Sequence, residues 1–222
     1  MSDEQWPGES AVEVEEARDD SEDTGEEPAA GVAVEAEAEA EAEPQLEPQP
    51  DGQLAGHAPG ALDIPGDVDL LEGSPMGTRK RVAIVLSRFN GDVTNRLLES
   101  AFAELDRVGI DREHVTVMPV PGAFELPLGA MALAKTRRYV AIVALGCVIR
   151  GETAHFEYVA GEAASGLQLA GLETGVPVAF GVLTVDTAEQ AEERVEKGAD
   201  AARAALEMAD LFSQVRRQAK SG

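Results

Sequence analysis

The sequence is poor in several things at once. It carries a single cysteine, Cys147, in 222 residues, so neither an intramolecular disulfide framework nor a cysteine-rich zinc site can be built from it. Basic residues are scarce, 18 against 42 acidic, for a formal net charge of −24. With no surplus of positive charge to neutralise phosphates, the composition argues against a nucleic-acid binder. Long apolar runs are absent too. The longest, Tyr139 to Ile149, falls well short of the ~20 residues that cross a bilayer. The N-terminus is acidic and has no apolar stretch, unlike a secretory signal. These absences lead to the expectation of a soluble, cytoplasmic protein that does not engage membranes.

What is present is unevenly placed. Residues 1–66 hold 20 of the acidic residues and one basic residue, Arg18, for a net −19; residues 67–222 carry −5. Low hydrophobicity with high like charge buries too little apolar surface to offset chain entropy, so 1–66 reads as a disordered, solvated acidic tail. Glu and Ala alternate from Glu35 to Glu43, but both are poor strand formers, and Pro44, Pro48, Pro50 and Pro59 follow. A tail partner is not named by the sequence. Residues 67–222 are long enough for one domain with its own core.

Within that domain, apolar runs alternate with helical patterns. Val68–Glu72 is a candidate short strand. Arg81–Leu86, His114–Met118, Tyr139–Cys147 and Pro177–Leu183 read as four strands, the third almost wholly apolar as a central parallel strand should be. Asp92–Gly109 is amphipathic, with Leu97, Leu98, Ala101, Phe102 and Leu105 on one face. Further helices are expected over Glu125–Thr136, over Ala154–Glu173 with Gly175 as the stop, and after Thr187, which forms a capping box with Gln190. Strands separated by helices of this length require crossovers and a parallel sheet covered on both faces. The expected fold is a three-layer α/β/α sandwich, flavodoxin-like, whose ligands bind beyond the carboxyl ends of the strands.

The unusual residues gather at that edge. Ser87-Arg88-Phe89-Asn90 follows the first long strand, Pro121-Gly122-Ala123-Phe124-Glu125 the second, and Arg150-Gly151-Glu152-Thr153-Ala154-His155 the third. Gly151, Glu152 and Thr153 open a helix, whose N–H groups and dipole suit an anion. His155 is either a structural helix residue or a group that moves protons near neutral pH. Phe89 either packs back onto the core or stacks on a flat ring. Glu125 is either a dipole carboxylate or a ligand contact, Asn90 either a helix cap or a site residue, and Cys147 by itself a small apolar filler. His57 and His114 lie away from this edge.

Taken together, RFN (88–90), PGAFELP (121–127), ALGCVIRGETAHFEYV (144–159), PVAFGVLT (177–184) and ALEMADLF (205–212) resemble the lumazine synthase family, in matching order from about 67 to 213. The resemblance implies condensation of 5-amino-6-(D-ribitylamino)uracil with 3,4-dihydroxy-2-butanone 4-phosphate to 6,7-dimethyl-8-ribityllumazine, with no metal or organic cofactor. It implies that Phe89 stacks on the pyrimidine and that Ala123, Phe124 and Glu125 line the ribityl pocket. Cys147, Val148 and Ile149 would contact the pyrimidine, Glu152 and Thr153 would hold the phosphate, and His155 would be the proton donor. Phe180 and Arg194 would come from a neighbouring subunit, Arg194 as the phosphate's counter-charge, with Asn90 and Lys197 as further contacts. The family forms pentamers, some closing into icosahedral shells, and its first strand, here Val68–Glu72, adds to a neighbour's sheet. A shell or scaffold homologue that has lost turnover is the alternative.

One departure stands out. After Arg194 the chain reads Val195-Glu196-Lys197-Gly198, about five residues shorter than the family's glycine-rich break. Ala188, Ala191, Val195, Gly198, Ala202, Leu206 and Ala209 form one stripe at helical spacing across this point. The stripe predicts a single unkinked helix from about 187 to 213. Loss of the break leaves the assembly open between a pentamer or decamer, a sixty-subunit shell and an altered cage.

Overall fold

A computed structural model describes residues 62–77 and 80–221. The acidic tail inferred for 1–66 lies almost wholly outside the described residues; 62–66 are exposed. Four strands, β1 (Val82–Ser87), β2 (Val115–Val120), β3 (Ala141–Ile149) and β4 (Val178–Val185), form one parallel sheet in the order β2-β1-β3-β4. The helices are α1 (Gly91–Arg107), α2 (Leu126–Lys135), α3 (His155–Thr174), α4 (Ala188–Glu192) and α5 (Lys197–Ser221).

The period-two alternation of the strands sorts their side chains between two cores. Val82, Ile84 and Leu86 of β1, with Ala141, Val143 and Leu145 of β3, meet Leu97, Ala101 and Leu105 of α1 and Ala202 and Leu206 of α5. On the opposite face Ala83, Val85, Ile142 and Ala144 meet Leu126 and Ala130 of α2 and Ala163 and Leu167 of α3. The sheet is therefore covered on both sides, which is why β1 and β3 read as continuous apolar runs. Each fully buried leucine here contributes about 2 kcal/mol of burial. Gly175, in the left-handed region at φ 64, ends α3 as expected.

One sequence expectation is corrected. The stripe from 188 to 209 is not one helix: α4 ends at Glu192, and the chain turns through residues 193–196 before α5 begins. Through the turn, backbone bonds run to the third residue back, from Arg194 to Ala191, Lys197 to Arg194 and Gly198 to Val195. The cause is tertiary. A Cβ on Gly198 would lie 2.1 Å from the Leu97 carbonyl oxygen, so α5 begins in close backbone approach to α1. There the Ala199 N–H donates to Ser100 Oγ at 3.1 Å. Apolar spacing records which face is buried, and most of the stripe is buried, but it does not record continuity.

Of the two readings open for Asn90, a side-chain cap is not the one seen. It precedes α1 at φ 58 and its side chain makes no cap; instead Nδ2 donates to the Cys147 carbonyl oxygen at 2.9 Å. Val68–Glu72 carries no strand within the chain, and Val68 and Leu70 are exposed. The adjoining segment lies on α5, where Gln214 donates to the Glu72 carbonyl and the Ser74 N–H to Asp210.

Buried Glu104 ties α1 to α5. Burial alone would raise its pKa, but hydrogen bonds from Arg107 and Arg203 outweigh this and hold the carboxyl below its ordinary value. No helix among the described residues is long and apolar enough to cross a membrane.

Candidate active site

The chain runs from β1 outward to β2, then back across β1 to β3. Loops leaving the carboxyl ends of β1 and β3 therefore diverge, and a crevice opens between them. A cleft of about 570 Å³ lies there, a volume suited to small ligands. Its lining includes Phe89 and Asn90 after β1, Ala123, Phe124 and Glu125 before α2, Cys147, Val148 and Ile149 ending β3, and Thr153 and His155 entering α3. Ten residues singled out from the sequence are thus brought to one cavity.

Local structure explains their presentation. Phe89 stands 69% exposed and Phe124 56% exposed, large apolar rings offered to whatever enters. The Phe89 N–H donates to the Pro121 carbonyl and the Arg88 N–H to Val120, tying the two loops together. Glu125 folds back so that Oε2 accepts from the Gly122 N–H at 2.9 Å, a turn-closing role that engages one of its two oxygens. Asn90 pins the β1 loop to the end of β3. Cys147 is 2% exposed, and burial pushes its thiol up to about 11. It is neutral near pH 7 and no nucleophile, so it serves as floor.

At the mouth, α3 starts at His155 with no side chain capping it. The His155 N–H reaches Thr153 Oγ1 only at 3.5 Å. This helix start and the exposed imidazole face the same cleft. Glu152 is exposed and outside the lining. The sequence reading missed Phe156, Tyr158 and Val159, which also line the cleft. Their signal was the helical spacing from His155, which carries 158 and 159 round to the face of residue 155.

Phe180, Arg194 and Lys197 lie elsewhere. They share a second groove of about 310 Å³ beside β4, with Thr184 and Asp200. Phe180 pairs with Ala144, whereas the cleft residues Cys147–Ile149 pair with Leu183–Val185. Phe180 thus lies at least three residues, roughly 10 Å, along the strand from the cleft level, while the groove runs on past it to Leu183, Thr184 and Val185. Arg194 Nη1 is held by the Gln190 carbonyl at 2.9 Å. Lys197 pairs with Asp200 at 3.0 Å, and Asp200 with Arg203.

The two regions differ in charge. The cleft lining contains no Lys or Arg, while the β4 groove contains both. Among the described residues, one group could hold a metal: Asp111, Glu113 and His114. It precedes β2, at the opposite end of the sheet from the cleft, and contributes nothing to it.

A family model described as 6,7-dimethyl-8-ribityllumazine synthase matches residues 79–213. The chain is also similar to the 6,7-dimethyl-8-ribityllumazine synthases of Yersinia pestis (strain Pestoides F) and Yersinia pseudotuberculosis serotype O:1b (strain IP 31758). Each is 49% identical over 155 residues, covering 67% of this chain and 99% of the relative.

Proposed function

Because the chain belongs to the 6,7-dimethyl-8-ribityllumazine synthase family, we propose that its cleft and its β4 groove are two halves of one active site, joined between copies. The protein is a lumazine synthase of riboflavin biosynthesis. It condenses 5-amino-6-(D-ribitylamino)uracil with 3,4-dihydroxy-2-butanone 4-phosphate. The amine forms an imine with the ketone and expels water, phosphate is eliminated, and the second nitrogen closes the ring with loss of another water. Each step moves protons between substrate atoms, so good positioning and one modest acid/base suffice.

In this reading Phe89 stacks on the pyrimidine, and Ala123, Phe124 and Glu125 receive the ribityl chain, the second Glu125 oxygen accepting from hydroxyls. Cys147, Val148 and Ile149 border the pyrimidine, and Asn90 holds that wall through the Cys147 carbonyl. Thr153 and the backbone of Glu152 meet the phosphate at the start of α3, where the helix dipole favours negative charge. His155 donates the proton. Phe180 closes the cleft from the adjacent copy, with Arg194 as the counter-charge and Lys197 beside it.

The observation that carries this reading is the absence of any Lys or Arg from the lining of a cleft that takes a phosphate ester. A charge-assisted partner must come from elsewhere, and Arg194 lines the groove beside β4, not its own chain's cleft. The working unit is then a homo-oligomer, pentamer-based, in the cytoplasm. Val68–Glu72 would add to an adjacent sheet, and residues 1–66 would lie outside the catalytic unit. The test is turnover of both substrates by the purified assembly. Lumazine absorbance that appears only when both are present supports the reading; none, with assembly intact, would favour a silent scaffold.

A further inference from the structure

Arg150 contributes no atom to the cleft lining, yet it is held from several sides. Its N–H donates to the Val185 carbonyl at 2.9 Å, continuing the β3–β4 pairing past Ile149. Nε donates to Asp186 Oδ1 at 2.7 Å, and Nη1 lies 3.5 Å from Glu157 Oε1. The guanidinium also sits 4.4 Å from the centre of the Phe156 ring. Phe156 and Glu157 directly follow His155 in the first turn of α3, and Phe156 itself lines the cleft.

Ion pairs this exposed contribute little to stability, about 1 kcal/mol or less. Their value here is geometric. The turn before α3 has no side-chain cap, so the direction of its first turn needs another constraint. A planar fork stacked on a ring and bonded to two carboxylates supplies one, which a flexible ammonium would not.

We infer that Arg150 is a positioning residue for the condensation, clamping the first turn of α3 to the β4–α4 turn so that His155 and the anion-facing backbone of 151–153 keep their place above the end of β3. The inference rests on the functional reading above. Arg150 itself touches no substrate.

The test uses the full-length assembly and four variants: Arg150→Ala, Arg150→Lys, Asp186→Asn and the double variant Arg150→Ala/Asp186→Asn. Arg150→Ala should lower kcat about tenfold, as expected for a slightly misplaced catalytic group, with KM for the phosphate-bearing substrate changed less than threefold. Arg150→Lys should recover only part of the loss. The double variant should be no slower than Arg150→Ala alone, because both changes break one clamp. Unfolding midpoint and particle mass should match the parent. An unchanged kcat would overturn the inference, as would full rescue by lysine or additive losses. A defect confined to KM of the phosphate-bearing substrate would make Arg150 a direct anion ligand instead. Should Arg150→Ala fail to assemble, Asp186→Asn and Glu157→Gln carry the test, each expected to lose about threefold in kcat; parental rates in both would overturn it. A parent protein without turnover would strike the functional reading itself, a separate failure.

Discussion

The cleft above β3 and the groove beside β4 belong to one chain but are chemically opposite. The cleft is aromatic and nearly uncharged, with Phe89, Phe124, Phe156 and Tyr158 around a neutral thiol and one imidazole. The groove is smaller, and beside Phe180 and the apolar flank of β4 it holds the charged side chains of Arg194, Lys197 and Asp200. In the proposed reading, the first offers stacking to a flat heterocycle and the second a counter-charge to a phosphate. The contrast teaches that neither region is a complete site for a substrate pair made of one of each. Joining them is the role proposed above for a second copy.

The most severe test removes the proposed proton donor, His155, from the cleft. His155→Ala should lower kcat about a hundredfold while particle mass stays unchanged; parental rates would end its assigned role. Removing the groove's cation should act on one substrate only. Arg194→Ala should raise KM for the phosphate-bearing substrate roughly tenfold to thirtyfold, in line with about 1.5–2 kcal/mol for a charged hydrogen bond, with the pyrimidine's KM nearly constant.

Mixing these two impaired variants, assayed with the phosphate-bearing substrate well below the parental KM, then sharpens the comparison. Randomly co-assembled in equal amounts, they should regain about a quarter of the parental turnover. That is the share of junctions where an intact cleft meets an intact groove. No gain over the single variants would show that each chain completes its own site.

A smaller effect concerns the cleft floor. The Cys147 thiol is lifted from 9.0 to about 11 by burial, so between those values the unfolded chain loses a proton that the fold retains. Its contribution is fully present below pH 9 and is lost as pH rises through that window, on the order of 2 kcal/mol. Denaturant midpoints should therefore fall more steeply from pH 9 to 11 in the parent than in Cys147→Ala. Equal slopes would mean the thiol is not shielded. The least effect is expected from deleting residues 1–66, after which specific activity should equal that of the full chain; a dead or insoluble product would make the acidic segment part of the working unit.

Much of this was legible beforehand where chemistry and sequence are neighbours. Cys147, Val148, Ile149, Thr153 and His155 reach one cavity because a strand, a loop and a helix start follow one another directly. Phe89 and Phe124 could be placed because loops after parallel strands all open at the same sheet edge. Phe156 and Tyr158 went unnoticed because beside a specific motif an aromatic residue in an apolar helix looks like core. Asn90 satisfied the local rule for a helix cap, yet its partner is 57 residues away in the chain.

Apolar period and composition alone determined the four strands of the sheet along the chain, the two buried faces and the edge at which the polar residues meet, because burial is a property of side chains repeating along the backbone. Only the folded molecule decided that helix α5 is separate from α4 and that Lys197 and Arg194 share a groove with Phe180 and Asp200 beside β4. Those outcomes depend on contacts between distant segments, Gly198 against Leu97 and β4 in register with β3, and no periodicity within either segment encodes them.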